Sequence, residues 1–254
     1  MELADTLDVS LECGELVQLS GGHTARTIDA MERMAAALGA QESHCAISSV
    51  NVSMSVFADG RTLTAGRRAG HLGINFSMLT AVERLVADTE ELGLSPSQVR
   101  ARLELIRHPG RTYPTWLVMV MLGVASAAFA ALFGAGYVAA VLTLVGGWAG
   151  AWTRHLLVRR HQKPFVFVGC AAFVSAFVVA AGTQQLGLSP AEAAPALAAS
   201  VLFLVPGVPL LNGTADLLTA NYLNGLVRLV MSAVIIASAA GGLTIAQALV
   251  RVLP

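Results

Sequence analysis

Residues Leu202 to Arg228 read LFLVPGVPLLNGTADLLTANYLNGLVR, and the fold turns on how this stretch is understood. An apolar, helix-length segment is interrupted by Pro206, Gly207 and Pro209, then followed at once by Asn212, Asp216, Asn221, Asn224 and Arg228. Apolar flanks around a polar middle are awkward inside one soluble core. In a bilayer they make sense, because broken backbone and ionisable side chains are tolerated there only where they face protein or a water-filled path. The stretch reads as part of a polar route through a membrane domain.

The charge distribution agrees. Of the 16 Lys plus Arg, 10 lie in residues 1–111 and 6 beyond; of the 16 Asp plus Glu, 14 lie in 1–111 and only Glu192 and Asp216 beyond. A net charge of zero thus hides an acidic soluble portion, residues 1–112, joined to a nearly uncharged one, residues 113–254. An acidic soluble portion argues against nucleic-acid binding. Glu2, Asp5, Asp8 and Glu12 stand where a signal peptide would be basic, and no long apolar run precedes Tyr113, so the soluble portion is expected in the cytoplasm. Cys13, Cys45 and Cys170 are far apart, match no metal or redox spacing, and are expected to be small packing residues.

The soluble portion reads as α+β. Leu3, Leu7 and Leu11, then Leu16 and Leu19, lie near one helical face with acids on the other, and Gly21-Gly22 stops that helix. Thr24 is the expected N-cap of a second helix to Leu38, with Ile28, Met31, Ala35 and Leu38 at helical spacing. Ala46 to Phe57 alternates strictly and reads as one half-buried strand; Asp59-Gly60 turns it back into Arg61 to Ala65. Gly66 to Gly73 lacks the spacing of a nucleotide cradle and reads as a flexible connection. Asn75 or Ser77 starts a third helix ending near Gly93, and Ser95-Pro96 opens a fourth that His108-Pro109-Gly110 terminates. No nucleophile–base pair, metal spacing or cofactor loop stands out, so neither an enzyme activity nor a cofactor is expected.

Five spans are expected in the second portion, at about residues 114–134, 137–153, 164–182, 193–211 and 229–250. Tyr113 and Trp116 suit an interfacial belt, and Gly146 with Gly150 would let another helix approach closely. The run Arg154-His-Leu-Leu-Val-Arg159-Arg160-His161-Gln-Lys163 is the most basic connection and should face the cytoplasm, whereas Thr183 to Glu192 has no Lys or Arg and should lie outside. The fold class expected is therefore an α-helical integral membrane protein of about five spans, one of them proline-broken, with an N-terminal soluble α+β domain.

Two readings of the central stretch compete. In one, Pro206 and Pro209 end a helix and let another begin near Leu210, whose free N–H groups would receive a carboxylate. Asn212 and Asp216 then share a face, while Asn221, Asn224 and Arg228 cluster within about 60° of one another on a different face, at about 100° per residue. One straight helix cannot bring all five to a small ligand, so either it bends near Gly225 or the clusters do different jobs. In the other reading the fourth span ends at Leu211 and Asn212 to Arg228 is an interfacial hairpin, with Arg228 snorkelling at the cytoplasmic rim. Asp216, the only acid after Glu192, calls for a partner or a purpose.

Several segments carry a resemblance beyond this physics. They are GGHTARTIDAMERMAAALG in the soluble portion, GIN at Gly73 to Asn75, YPTWLV at Tyr113 to Val118, the basic WTRHLLVRRH, and SVLFLVPGVPLLNGTAD ending at Asp216. With them nearly the whole chain resembles the threonine/serine exporter family, and most closely the larger subunit of its split, two-component form, some members of which are associated with succinate export. The resemblance implies a multi-pass exporter of the bacterial inner membrane with its N-terminal domain cytoplasmic. Fused members carry a second group of spans; this chain stops after five, so the resemblance implies a smaller membrane subunit as partner, with room for a higher oligomer. Pro206, Gly207, Pro209, Asn212 and Asp216 fall on the family's signature positions.

The expected substrate-path residues are Asp216, Asn212, Arg228, Asn224 and Asn221, with the helix break at Pro206, Gly207 and Pro209. The break would hold a cargo carboxylate, Arg228 would be its counter-charge, and Asp216 would bind an ammonium or carry a coupling proton. Threonine and serine bring both charges and match an acid beside a dipole, whereas succinate needs Asp216 protonated or distant. The resemblance to the split form places the dicarboxylate slightly ahead. The competing expectation is a membrane-anchored binding or regulatory module, with the function in residues 1–111.

Overall fold

The computed structural model describes residues 3–69, 74–108 and 113–252, which fall into two compact units. The first takes in Met1–Gly110 together with Gly207–Val230, and the second Arg111–Pro206 with Met231–Pro254. Of the connection expected over Gly66 to Gly73, Gly66 to Arg68 instead continue the strand that begins at Arg61, and Gly70 to Gly73 lie outside the described residues, as do the stop at Pro109-Gly110 and the terminal Pro254.

In the first unit, helix α1 (Leu3–Leu19) is the centre. One of its faces places Leu7 and Leu11 against Met31 and Ala35 of α2 (Thr24–Ala37) and against Val52, Met54 and Val56 of the sheet. Another buries Val9, Cys13, Leu16 and Val17 against Leu79, Val82, Leu85 and Val86 of α3 (Phe76–Leu92) and Val99 and Leu103 of α4 (Pro96–Arg107). The acidic face is not left to water. Arg67 meets Asp8 at 2.6 Å and Glu15 at 3.4 Å, Arg107 meets Glu12 and Glu15 at 3.0 Å, and Arg100 reaches Asp5 and Asp8. Partial burial works to raise the Asp8 carboxyl, but Arg67 and Arg100 outweigh it and hold the group below the usual carboxylate range. Glu90 is held low by Arg33 across α2 and α3.

The sheet is an antiparallel meander of β1 (Glu42–Ile47), β2 (Asn51–Ala58) and β3 (Arg61–Arg68). The single strand expected over Ala46 to Phe57 is in fact two, because the chain reverses at Ser48 to Val50. Val50, in phase with Val52, Met54 and Val56 in the alternation that suggested one strand, is 62% exposed on that turn. The Asp59-Gly60 turn holds as expected, with φ of 50° and 73°, the left-handed pair that a tight hairpin requires. Asn75 caps α3, Gly93 closes it with φ 63°, and Ser95 with Gln98 forms a capping box on α4. The second helix starts one residue earlier than expected: its N-cap is His23, whose Nδ1 accepts from the Arg26 N–H, and Thr24 is already helical.

The second unit is built of α5 (Thr115–Leu132), α6 (Tyr137–Arg159), α7 (Pro164–Gln185), α8 (Pro190–Val201) with a 3-10 turn at Leu202–Leu204, and the later part of α10 (Tyr222–Val252). Small residues set its packing. A Cβ on Gly146 would lie 2.7 Å from the Ser175 carbonyl, and one on Gly150 would lie 2.9 Å from the Ala171 carbonyl, so α6 and α7 approach backbone to backbone as the Gly146/Gly150 spacing suggested. Hydroxyls join the helices: Ser175 donates to the Ser200 carbonyl at 2.7 Å.

Among the described residues, three helices are long and apolar enough to cross a membrane: α5, α7 and α10. The segments Pro190–Leu204 and Gly207–Leu218 meet the same test only together, as one broken pair. α6 carries Arg154 and Arg159 within its length, since the helix continues to Arg159, into what was expected to be a basic connection. Cys170 is exposed on α7, not packed; Cys13 is buried, and burial pushes its thiol up to about 12.

Candidate functional site

The break falls where proline chemistry puts it. Val205 is extended, as a residue before proline prefers, and α9 (Gly207–Leu218) begins immediately after Pro206. Pro209 sits in its first turn, where the missing N–H costs nothing. The helix therefore starts three residues before Leu210. A second break at Thr219 to Asn221 answers the geometric puzzle of the five polar residues. Ala220 adopts φ 61°, the Asn221 N–H donates to the Asp216 carbonyl at 2.8 Å, and α10 turns back against α9. The turn lies here and not near Gly225. Gly225 serves the crossing instead, since a Cβ on it would come within 2.8 Å of the Gly213 carbonyl.

Folded back in this way, the hairpin grips the loop that enters α2. The Thr24 N–H donates to Asp216 Oδ1 at 2.8 Å across 192 residues of sequence. Arg228 Nε lies 3.3 Å from Asp216 Oδ2, close enough for charge pairing though not aligned as a hydrogen bond, and its Nη2 donates to the Gly22 carbonyl at 3.2 Å. Asn224 Nδ2 donates to Thr24 Oγ1 at 3.2 Å and to the Ile47 carbonyl at 2.9 Å. Asn212 Nδ2 donates to the Gly21 carbonyl at 2.7 Å. Asp216 is 0% exposed, and Asn224 and Arg228 are buried beside it.

The structure thus gathers Asp216, Asn212, Asn224 and Arg228, and leaves Asn221 apart. Asn221 bonds to its own turn through Thr219. Pro206, Gly207 and Pro209 shape the start of α9, but the backbone donor that receives the acid is the first N–H of α2. That N-terminus is the positive end of a helix dipole, where a carboxylate is stabilised. Two glycines make the approach feasible: Gly21 has φ 100°, and a Cβ on Gly22 would meet the Val17 carbonyl at 2.9 Å.

Sequence reasoning missed His23, Thr24, Gly21 and Gly22 as partners, although the run Gly21-Gly-His-Thr24 was a visible signal. Burial pushes the His23 imidazole below its ordinary value; Asp216 opposes this, and Arg26 and Arg228 add to it. His23 is thereby kept neutral, in the state that lets Nδ1 accept from Arg26.

This interlock joins two of the segments that carried the family resemblance, and the comparisons agree. The chain belongs to the putative threonine/serine exporter family, a transporter family whose sequence model matches residues 8–250. It is 33% identical over 218 residues to the "Probable succinate transporter subunit YjjP" of Escherichia coli, covering 86% of this chain and 84% of that protein. A Klebsiella aerogenes protein of the same description is 32% identical over 220 residues, 86% of this chain and 83% of its own. An uncharacterized protein of Haemophilus influenzae is 26% identical over 136 residues, 54% of this chain and 45% of its own. No solved structure matches the chain.

Proposed function

We propose that the chain is the larger subunit of a two-component secondary exporter of small carboxylates in the bacterial inner membrane, with a succinate-type dicarboxylate ahead of threonine and serine. The observation that carries the choice of cargo is the state of Asp216. Its charge is already matched by Arg228 and by the Thr24 N–H in a closed, buried setting, so it offers no unsatisfied negative charge to an ammonium group. An amino-acid cargo would need that charge. A dicarboxylate needs the opposite, a cation released from its acid. Protonation of Asp216 would free Arg228 to receive a cargo carboxylate, which gives the acid the role of coupling proton carrier. The descriptions of the two similar proteins as succinate transporter subunits support both the cargo and a partner subunit.

The topology proposed with it is five spans, α5, α6, α7, the broken α8–α9 pair and α10, with residues 1–112 cytoplasmic. The excess of Arg and Lys over Arg154 to Lys163 supports that orientation. Radiolabelled efflux from cells expressing the chain with its smaller partner tests the reading. Succinate export that needs both chains is expected, together with its loss in Asp216→Asn. Export of threonine with full retention of succinate would overturn the cargo assignment, and retention of all three would overturn the exporter reading itself.

A further inference from the structure

Unit two has two chemically different ends. At one, α6 finishes with Arg159, followed by Arg160 and Lys163 before α7 begins. At the other, the last turns of α7 and α10 and the first turns of α8 surround a cleft of 570 Å³. Alanines of α7 and α8, among them Ala180 and Ala194, leave this space, and Gln184, Gln247 and Arg251 supply its polar lining. The volume is within the range of small-molecule sites, about 300–1,000 Å³.

Arg251 is out of place by the ordinary rule. Lys and Arg collect on the cytoplasmic side of a membrane protein, and the segment Thr183 to Glu192 at this end contains neither. Yet Arg251 is exposed at the mouth of the cleft and makes no ion pair among the described residues. Glu192, the acid in the first turn of α8, is engaged by the Ser189 N–H at 2.9 Å and the Ser189 hydroxyl at 2.7 Å. Gln247 precedes Arg251 by one turn of α10, so amide and guanidinium lie on one helical face. Thr183 contributes little, since its hydroxyl donates to its own helix at the Val179 carbonyl, 2.9 Å away.

We infer that this cleft is a carboxylate release site on the face of the membrane opposite the basic connection. A cargo carboxylate sits on the Arg251 guanidinium in a two-bond fork, the Gln247 amide takes the remaining polar end, and the hydrocarbon middle lies against alanine. The inference rests on the exporter reading and extends it to the exit.

The test separates the two. In the full chain with its partner, Ala194→Cys in a Cys170→Ser background is labelled in right-side-out vesicles by an impermeant maleimide, with and without succinate. Labelling from outside is expected, slowed about threefold once succinate reaches twice its Kd. The protection should vanish in Arg251→Gln and persist in Arg251→Lys at higher succinate. Labelling only from the cytoplasmic side would overturn the placement. Equal protection by inorganic phosphate, or undiminished protection in Arg251→Gln, would overturn the carboxylate site. Because labelling needs no transport, absence of succinate efflux with intact protection leaves the cleft standing and removes the cargo direction alone.

Discussion

Asp216 ties the chemistry of the hairpin to that of the α2 entrance, so single changes there should have separable effects. Asp216→Asn keeps an oxygen for the Thr24 N–H but leaves Arg228 buried without its counter-charge. Breaking a buried pair from one side costs about 3–5 kcal/mol, and a drop of that order is expected in the unfolding free energy of the detergent-solubilised protein. Adding Arg228→Gln should recover part of it. A double variant no better than the sum of the singles would show that the pair is not coupled. His23 makes a second prediction. The fold holds its imidazole neutral, with a value below the ordinary 6.5. As pH falls through about 6.5, the unfolded chain takes up a proton that the folded chain refuses, so stability declines on the acid side and is flat above it. In thermal melts between pH 8 and 5.5, His23→Asn should retain the cap and lose much of that slope.

Helix contacts in both units depend on where a side chain is absent. In unit two, a Cβ on Gly242 would clash with the backbone carbonyl of Gly169 on α7, whereas one on Gly169 would meet only the Ser238 carbonyl at 3.5 Å. Gly242→Ala is therefore expected to lower the melting temperature and the folded yield, by about 1–3 kcal/mol if the helices can shift apart, and Gly169→Ala to be nearly neutral. Equal behaviour of the two would mean that the helices do not cross there. Gly225→Ala should act like Gly242→Ala in unit one, because the Gly213 carbonyl is backbone and cannot move aside alone. Ion pairs between α2 and α3 are a contrast. Arg33 and Glu90 meet at 2.5 Å, but both are substantially exposed, so Glu90→Gln should cost less than about 1 kcal/mol and still less at high salt.

Orientation of the whole chain is open to a direct check. With the Arg154 to Lys163 end in the cytoplasm, His161→Cys should be shielded from an impermeant thiol reagent in intact cells, and Leu186→Cys, exposed beyond the end of α7, should react. The reverse pattern would invert the topology and the direction of export with it.

Much of this architecture was legible in residues alone. Periodicity, glycine stops and Ser95-Pro96 marked the four soluble helices, because a helix must bury a stripe and cap its ends within its own sequence. Apolar runs marked α5, α7 and α10 for a similar reason, as length and transfer free energy are local sums. Boundaries set by weaker local signals were not. β1 hid in Glu42 to Ile47 because its turn, Ser48 to Val50, carries no glycine or proline, and α6 ran on through charges that a helix end can carry into water. What only the tertiary structure decided is who meets whom. The signature acid faces the entrance of α2 rather than open space, the five polar residues divide four to one, and Arg251 stands beside an alanine-lined cleft. Such pairings depend on distances between residues nearly two hundred apart in the chain, and no local sum of propensities contains that information.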